Sequence, residues 1–224
     1  MLFRISGVIL IVFSIYSCKE VQDNLIKDSD GNIYTSVQIG TQVWMKENLK
    51  TTKFNDGTAI PNVTDDTSWG ALTTPAYCWY NNDAATYKAT YGALYNWYAV
   101  ASNGGKNVCP TGWHVPSDVE WTTLSDYMGG ESVAGGKLKE TGTTHWISPN
   151  TGATNETGFT ALPGGLRVDS GSCYDIGYGG VWWSSTEDST SYAWLRYMGF
   201  SYTYVGRGYN NKLCGFSVRC VRDP

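Results

Sequence analysis

Glycine residues divide the C-terminal part of the chain, from Glu131 onward, into short segments, so this part must be built largely from short elements. The segments carry aromatic and β-branched residues between turn signals, which is the pattern of strands. Five segments are predicted to be strands: NETGFTALPGGLR, GGVWWSST, SYAWLRYMG, SYTYVGR and GFSVRCVRD. In the last of them Phe216, Val218 and Cys220 share one face, so a cysteine points inward. The stretch ESVAGGKLKETGTTHW is expected to hold a short helical turn.

The segment CPTGWHVPSDVEWTTLSDYMGG, residues 109–130, carries the clearest helix signal. Ser117 precedes Glu120 by three positions, which is the spacing of a capping box. Apolar residues then repeat at helical spacing until a Gly-Gly pair ends the helix. His114 has no second histidine nearby for a metal site or a proton relay. We therefore interpret this stretch as scaffold rather than as an active site.

The N-terminal half predicts a hairpin, a long loop and a further helix. In residues 31–55, apolar and β-branched residues alternate with polar ones, and turn signals separate the runs. This pattern predicts the hairpin. The preceding DSDGN, residues 28–32, lacks the final glutamate of a calcium loop, so we expect a simple turn. Residues 56–83 contain several Gly and Pro breakers, and a loop this long is a candidate binding surface. The stretch ATYGALYNWYAVAS, residues 89–102, places apolar residues at helical spacing and predicts the first helix.

The first residues show the charged, apolar and small-residue zones of a secretory signal. Arg4 precedes an apolar run that ends at Cys18, and this run is shorter than the about 20 residues of a membrane-spanning helix. The tetrapeptide IYSC resembles a bacterial lipobox. We predict a signal peptide over residues 1–17, lipidation of Cys18 and a tether over residues 18–30. An ordinary cysteine behind a plain signal peptide is the alternative.

Lipid chains on Cys18 would anchor the protein to a membrane without embedding it. Lys19 and Glu20 partly resemble the export signal of Bacteroidetes surface lipoproteins. The leader therefore predicts an outer-membrane lipoprotein that is exposed at the cell surface, with the membrane as one of its partners.

The remainder of the chain, residues 31–224, suits one domain with its own core. Aromatic residues make up 14% and charged residues only 16% of the chain, which excludes an intrinsically disordered protein. The formal net charge is −4 and the basic residues are scattered, which argues against a nucleic-acid partner because such a partner needs a basic stripe.

Five cysteines remain once Cys18 is set aside, so at least one stays free if the others pair. We predict a bridge between Cys109 and Cys220, which ties the segment before the capped helix to the last strand. Closing a loop of about 100 residues contributes up to about 4.7 kcal/mol in the chain-entropy model. Cys173 with Cys214 is a second predicted pair. No zinc-type spacing is present, and we expect neither a metal site nor a cofactor.

A set of motifs stands in order between about Gly31 and Asp223: WMKENLKTTKFNDGTAIPN, YCWYNND, YGALYNWYAV, CPTGWHVPSDVEWTTL, GGKLKETGTTHW, NETGFTALPGG, WWSSTE and GFSVRCVRD. Together they resemble the Fibrobacter succinogenes major paralogous domain of exported lipoproteins. That family is similar to the C-type-lectin-like fold of formylglycine-generating enzymes and of bacterial and phage variable receptor proteins. The resemblance implies an α+β, C-type-lectin-like fold, with two main helices, short mixed or antiparallel strands and long irregular loops.

The departures from these relatives point away from catalysis. The enzymes use a copper-binding cysteine pair in the region that here reads GGVWWSSTEDSTSYAWLRY, which contains no cysteine. The Glu-Pro-Asn calcium motif of animal sugar-binding lectins is also absent. We therefore expect a protein that is not an enzyme and does not bind sugar through calcium.

The variable receptors build their ligand face on the C-terminal half, which resembles residues 182–211 here. Tyr, Trp and Arg side chains are typical of binding hot spots. The predicted ligand contacts are Tyr192, Trp194, Arg196, Tyr202, Tyr204, Arg207, Tyr209 and Asn210. Trp182 and Trp183 are assigned to the core instead. The expected function is binding of an unknown glycan or protein ligand; the alternatives are a structural cell-surface coat protein and an enzyme on the same scaffold.

Overall fold

The computed structural model describes residues 26–101 and 105–224. The predicted signal peptide and the lipidated Cys18 lie outside the described residues. The helices are α1 (Asp66–Gly70), α2 (Ala84–Tyr91), α3 (Trp97–Val100), α4 (Asp118–Tyr127) and α5 (Glu131–Leu138). The strands are β1 (Ile26–Lys27), β2 (Ile33–Tyr34), β3 (Ser36–Ile39), β4 (Gln42–Met45), β5 (Tyr77–Cys78), β6 (Leu94–Tyr95), β7 (Trp113–His114), β8 (Gly164–Arg167), β9 (Cys173–Ile176), β10 (Gly179–Glu187), β11 (Tyr192–Gly199), β12 (Gly206–Asn211) and β13 (Val221–Arg222).

Two sheets carry most of the β-structure, and together with the helices they make the fold α+β. The larger sheet has the order β12-β11-β10-β8-β9, in which β10, β11 and β12 form an antiparallel meander and β8 runs parallel to β10. The second sheet has the order β3-β4-β13-β7, so the last strand, β13, pairs beside the β3–β4 hairpin. Among the described residues, no helix has the length and apolar character needed to cross a membrane.

The capped helix begins and ends where the sequence predicts. The Ser117 side chain accepts from the Glu120 N–H, and the Glu120 carboxylate accepts from the Ser117 N–H at 2.8 Å. Trp121 and Leu124 are fully buried in an apolar cluster that also contains Trp44 of β4 and Trp182 of β10. The predicted short turn after this helix is a longer helix, α5.

The predicted helix over residues 89–102 is wrong. Gly92 ends α2 with a φ of 78°, and a Cβ there would lie 2.6 Å from the Leu49 carbonyl oxygen. The chain then forms β6, and Asn96 caps the single turn of α3. The apolar residues of this stretch are buried because they lie in strand β6 and in the single turn of α3. Their spacing in the sequence happens to match that of one continuous helix.

The folded domain already includes residues 26–30, which the sequence assigned to a tether. β1 pairs with β2, and Asp28 holds the turn between them. The Asp28 carboxylate accepts from the backbone N–H groups of Asp30 and Asn32, each at 2.9 Å, and from the Tyr34 hydroxyl at 2.6 Å. These bonds use the oxygens that a calcium ion would need, so this segment is a simple turn, as expected.

Tryptophans fill the core, and their indole N–H groups are hydrogen-bonded. Trp182 donates to Asn48 Oδ1 at 2.9 Å, and Trp183 donates to the Tyr95 carbonyl at 2.8 Å. Both tryptophans are fully buried, which confirms their assignment to the core. A buried indole needs such a partner because an unpaired N–H away from water is costly.

The predicted disulfide between Cys109 and Cys220 is confirmed, with a Cα–Cα distance of 6.0 Å. The predicted pair Cys173 and Cys214 is wrong, because both cysteines are free. Cys173 packs beside Cys78 and accepts from the Asn81 N–H at 3.4 Å, whereas Cys214 lies in a different apolar cluster.

Candidate functional site

The pairing of β11 with β12 divides the predicted contact residues between the two faces of the larger sheet. Trp194 lies opposite Tyr209 and Arg196 opposite Arg207, whereas Leu195 lies opposite Gly208. Because side chains alternate along a strand, the two sets face opposite sides. We call the side that packs against α4 the helix face, and the other side the groove face.

On the helix face, Asp118 binds two arginines. Arg196 Nη1 donates to Asp118 Oδ1 at 2.6 Å, and Arg207 Nη2 donates to Asp118 Oδ2 at 2.9 Å. Arg196 is fully buried, so its assignment as a ligand contact is wrong; it ties α4 to β11. Burial alone would raise the pKa of Asp118, but the hydrogen bonds from Arg207 and Arg196 outweigh it and lower the pKa.

Aromatic rings cover this ion pair. The Arg207 guanidinium stacks 3.6 Å from the ring centroid of Trp194, and Tyr209 meets Trp194 edge-on at 5.8 Å. Tyr192 also meets Tyr209 edge-on. Arg207 is therefore engaged both by a carboxylate and by a ring. The helix face is an internally paired cluster with its outer tyrosines, Tyr192 and Tyr209, partly exposed.

The groove face holds a cavity of about 300 Å³. Its floor is apolar and consists of Leu166, Val181, Leu195 and Phe216. Gly208 in the wall leaves it open, because a Cβ there would meet only the side chains of Leu195 and Tyr197 at ordinary contact distance. Polar groups stand at the rim: Asp175, Tyr197, Tyr202 and Asn210.

Tyr197 and Tyr202 form one wall of the cavity, and Tyr204 backs it. The Tyr197 ring lies across Gly206, and the Tyr202 ring lies across Gly199, where any Cβ would collide with the ring. Tyr204 stacks on Tyr202 with centroids 3.9 Å apart and an interplanar angle of 7°. Burial, followed by the neighbouring Tyr204, raises the pKa of Tyr202, so its phenol stays protonated and can donate a hydrogen bond.

A buried lysine holds this wall in place. Lys139 Nζ donates to the carbonyls of Gly199 and Tyr202, each at 2.8 Å, and to that of Thr151 at 3.1 Å. The side chain is fully buried, and burial lowers the pKa of Lys139 to about 8. Its three donors are all used by the main chain, so the lysine positions Tyr202 without facing the cavity.

Asp175 supplies the cavity's carboxylate. It lies on β9, which pairs with β8, and its φ of 65° is in the left-handed region that few non-glycine residues adopt. The side chain is exposed, and its carboxylate makes no hydrogen bond to any residue in 26–101 or 105–224. Residues held in sparsely populated backbone conformations cluster at active sites and ligand-binding sites.

The sequence located part of this site. Tyr202, Tyr209 and Asn210 line the cavity as predicted, and Tyr204 stacks on Tyr202. Asp175 and Tyr197 were not predicted as contacts. Tyr197 could have been found from strand parity, since it alternates with Trp194 and Arg196 in SYAWLRYMG. Asp175 carried no such signal, because its position depends on the pairing of β9 with β8.

His114 links β7 to helix α4 and to the residues that follow β13. Nε2 of His114 lies 2.8 Å from Glu120 Oε1, and Nδ1 lies 2.7 Å from Asp223 Oδ1. The hydrogen bond with Glu120 raises the pKa of His114 against the effect of burial. With both ring nitrogens engaged by carboxylates, the imidazole has no free nitrogen for a substrate. Within the described parts of the chain, no three His, Cys, Asp or Glu side chains could hold a metal ion.

The structure thus defines an α+β domain with one preformed, aromatic-walled cavity on its larger sheet. A family model described as the Fibrobacter succinogenes major domain matches residues 37–222, and the chain belongs to this family. No curated protein and no solved structure shows a significant match to the chain.

Proposed function

We propose that the protein is a non-catalytic binding module and that its ligand enters the cavity on the groove face. The observation that carries this proposal is the combination of an apolar floor with a fixed tyrosine wall and an unpaired carboxylate at the rim. Small-molecule sites are mostly apolar cavities with a few placed polar groups. The wall is pinned by Lys139 before any ligand arrives, so little ordering would oppose binding.

The size of the cavity restricts the ligand. About 300 Å³ is at the lower end of the range for small-molecule sites, roughly 300–1,000 Å³. Such a volume accepts one sugar ring or one side chain, either free or as part of a larger glycan or protein. The helix face is the poorer candidate, because Asp118 and Arg207 already satisfy each other there.

The proposal includes the cellular setting. The lipobox-like IYSC and the Lys-Glu that follows support a lipoprotein anchored through Cys18 in the outer membrane and exposed at the cell surface. The motifs GWHVPSDVEW and GFSVRC support a C-type-lectin-like fold. A module displayed in this way would capture its ligand outside the cell.

A glycan array and a surface pull-down with the purified protein test the proposal. Gly208→Leu fills the cavity from a position where a Cβ is tolerated, so it should remove binding from a folded protein. Tyr192→Ala is the matched control, because Tyr192 is 41% exposed on the helix face. Binding that survives Gly208→Leu and is lost in Tyr192→Ala would place the site on the helix face.

The same experiment separates the coat-protein alternative. A coat protein should self-associate as its concentration rises, and it should be retained neither on the glycan array nor in the surface pull-down. Sedimentation of the purified protein over a range of concentrations, together with both binding assays, decides between the two functions.

A further inference from the structure

We infer that the group that enters the cavity is an organic cation, an ammonium or a guanidinium, and that Asp175 binds it. This inference rests on the proposed function, because it names the chemistry of the ligand of the same site. Three features of the groove face carry it: the charge of its lining, the lack of an internal partner for Asp175, and the rings beside that carboxylate.

Among the described residues, Asp175 is the only ionised side chain that lines the cavity. A second hollow adjoins the cavity and shares Asp175, Gly179 and Tyr202 with it; the rest of that hollow is lined by Tyr178, Gly199 and Phe200. Asp175 therefore stands where the two spaces meet, and no Lys or Arg of residues 26–101 or 105–224 lines either of them. The described lining of the groove thus carries one negative charge and no positive one, which favours cations over anions.

Three carboxylates around the same sheet are paired with buried cations of the chain, whereas the exposed Asp188 has no such partner among the described residues. Asp118 binds Arg196, Asp66 binds Arg167 at 2.8 Å, and Glu187 binds Lys212. Lys139 is the buried cation behind the tyrosine wall, and all its donors go to main-chain carbonyls. Asp175 is thus left with its charge uncompensated beside an apolar cavity, where a ligand cation would bind more strongly than in open water.

Aromatic rings stand on both sides of Asp175. Tyr202 lies on the cavity side, and Tyr178 packs edge-on against Phe200 in the hollow, with centroids 5.5 Å apart. Aromatic faces attract Lys, Arg and ligand cations, and they also shield the methylene or ring carbons that carry the charge. A carboxylate beside tyrosines recognises both parts of such a group.

The left-handed backbone at Asp175 allows the charge to be tested alone. Asparagine adopts this conformation as readily as aspartate, so Asp175→Asn removes the charge without adding strain. Asp188→Asn is the matched control, because Asp188 is an exposed carboxylate of the same sheet region that does not line the cavity.

The test is an NMR titration of the purified protein with two matched pairs of probes. The first pair is glucosamine and glucose, and the second is argininamide and citrullinamide. Within at least one pair the cationic probe should bind about tenfold more tightly than its neutral partner, with shifts at Tyr197, Tyr202 and Gly208. The preference should weaken with added salt, vanish in Asp175→Asn and persist in Asp188→Asn. The pair that responds identifies the source of the cation, an amino sugar or a basic side chain.

Two results would overturn the inference. One is equal binding of both members of each pair, or a preference that Asp175→Asn leaves unchanged. In that case, neutral binding that Gly208→Leu abolishes would keep the proposed function and discard only the cation. The other is that neither cationic probe shifts any resonance of the protein, even at a concentration equal to the solubility limit of its neutral partner. The glycan array and pull-down then decide separately whether the cavity binds anything.

Discussion

The two faces of the β11–β12 pair carry similar side chains but use them differently. On the helix face, Arg196 and Arg207 meet a carboxylate of α4, and Trp194 stacks on the outer guanidinium. On the groove face, tyrosines lie against glycines and enclose space beside Asp175, whose carboxylate has no partner among the described residues. An aromatic and charged composition therefore does not identify a binding surface; what distinguishes the two faces is whether the polar groups are already paired.

The largest effect on stability is expected from removing the centre of the helix face. Asp118→Ala leaves Arg196 buried without its carboxylate, which should lower the free energy of unfolding by about 3–5 kcal/mol. Urea denaturation measures this loss. Asp126→Ala, on the exposed side of the same helix, is the control and should change the free energy by less than about 0.5 kcal/mol. Equal stabilities of the two variants would show that the ion pair does not hold the face together.

A smaller loss is expected when the support of the groove face is removed. Lys139→Met leaves buried carbonyls of Gly199 and Tyr202 without their donor, which should cost about 1–3 kcal/mol. Ligand affinity should fall as well, because Tyr202 is no longer pinned. Lys137→Met is the matched control for both measurements, because Lys137 is only half-buried and its ion pair is with Glu156 rather than with the tyrosine wall. A destabilised Lys139→Met that binds with unchanged affinity would separate the lysine from the site.

The dependence of stability on pH should come from the helix face and the capping segment. Burial would raise the pKa of Glu120, but hydrogen bonds from His114 and Ser117 lower it from 4.5 to about 2. A carboxyl with a lowered folded pKa stabilises the protein above its unfolded pKa, and this contribution is lost as the pH falls from 4.5 toward 2. Asp118 acts in the same direction.

His114 acts at the other end of the pH range. Its raised pKa means that its contribution is complete below the unfolded value of 6.5 and is lost as the pH rises through the folded value. Melting temperatures measured from acid to mildly alkaline pH should therefore pass through a maximum. His114→Gln should flatten the alkaline limb and Glu120→Gln the acid limb; unchanged limbs would contradict these assignments.

The smallest effect on stability is expected from filling the cavity. A Cβ at Gly208 would meet only the side chains of Leu195 and Tyr197, and the rest of a leucine side chain can extend into the cavity, so Gly208→Leu should change the free energy of unfolding by less than about 1 kcal/mol while binding is lost. Denaturation and the binding assay must be run on the same preparation. A large destabilisation would mean that a leucine at this position disturbs the packing around the cavity. Gly208→Leu could then not be used to test the site.

Local signals were sufficient wherever a few neighbouring residues decide the outcome. The capping box placed α4, the turn at Asp28 was recognised from its short polar sequence, and the alternation of the final segment put Cys220 inside. The helix expected over residues 89–102 failed because Gly92 must pass close to the Leu49 carbonyl, a contact between distant parts of the chain.

The sequence by itself determined the family, the α+β class, the disulfide between Cys109 and Cys220, and a C-terminal half rich in tyrosine, tryptophan and arginine. Only the tertiary structure decided which of those side chains are available. Strand pairing places Arg196 under α4 and Tyr197 beside the cavity, one residue apart and on opposite faces. The hairpin of β8 and β9 brings Asp175 to the same cavity. Register and burial depend on contacts that no local pattern contains, because each strand's face is assigned by its partner.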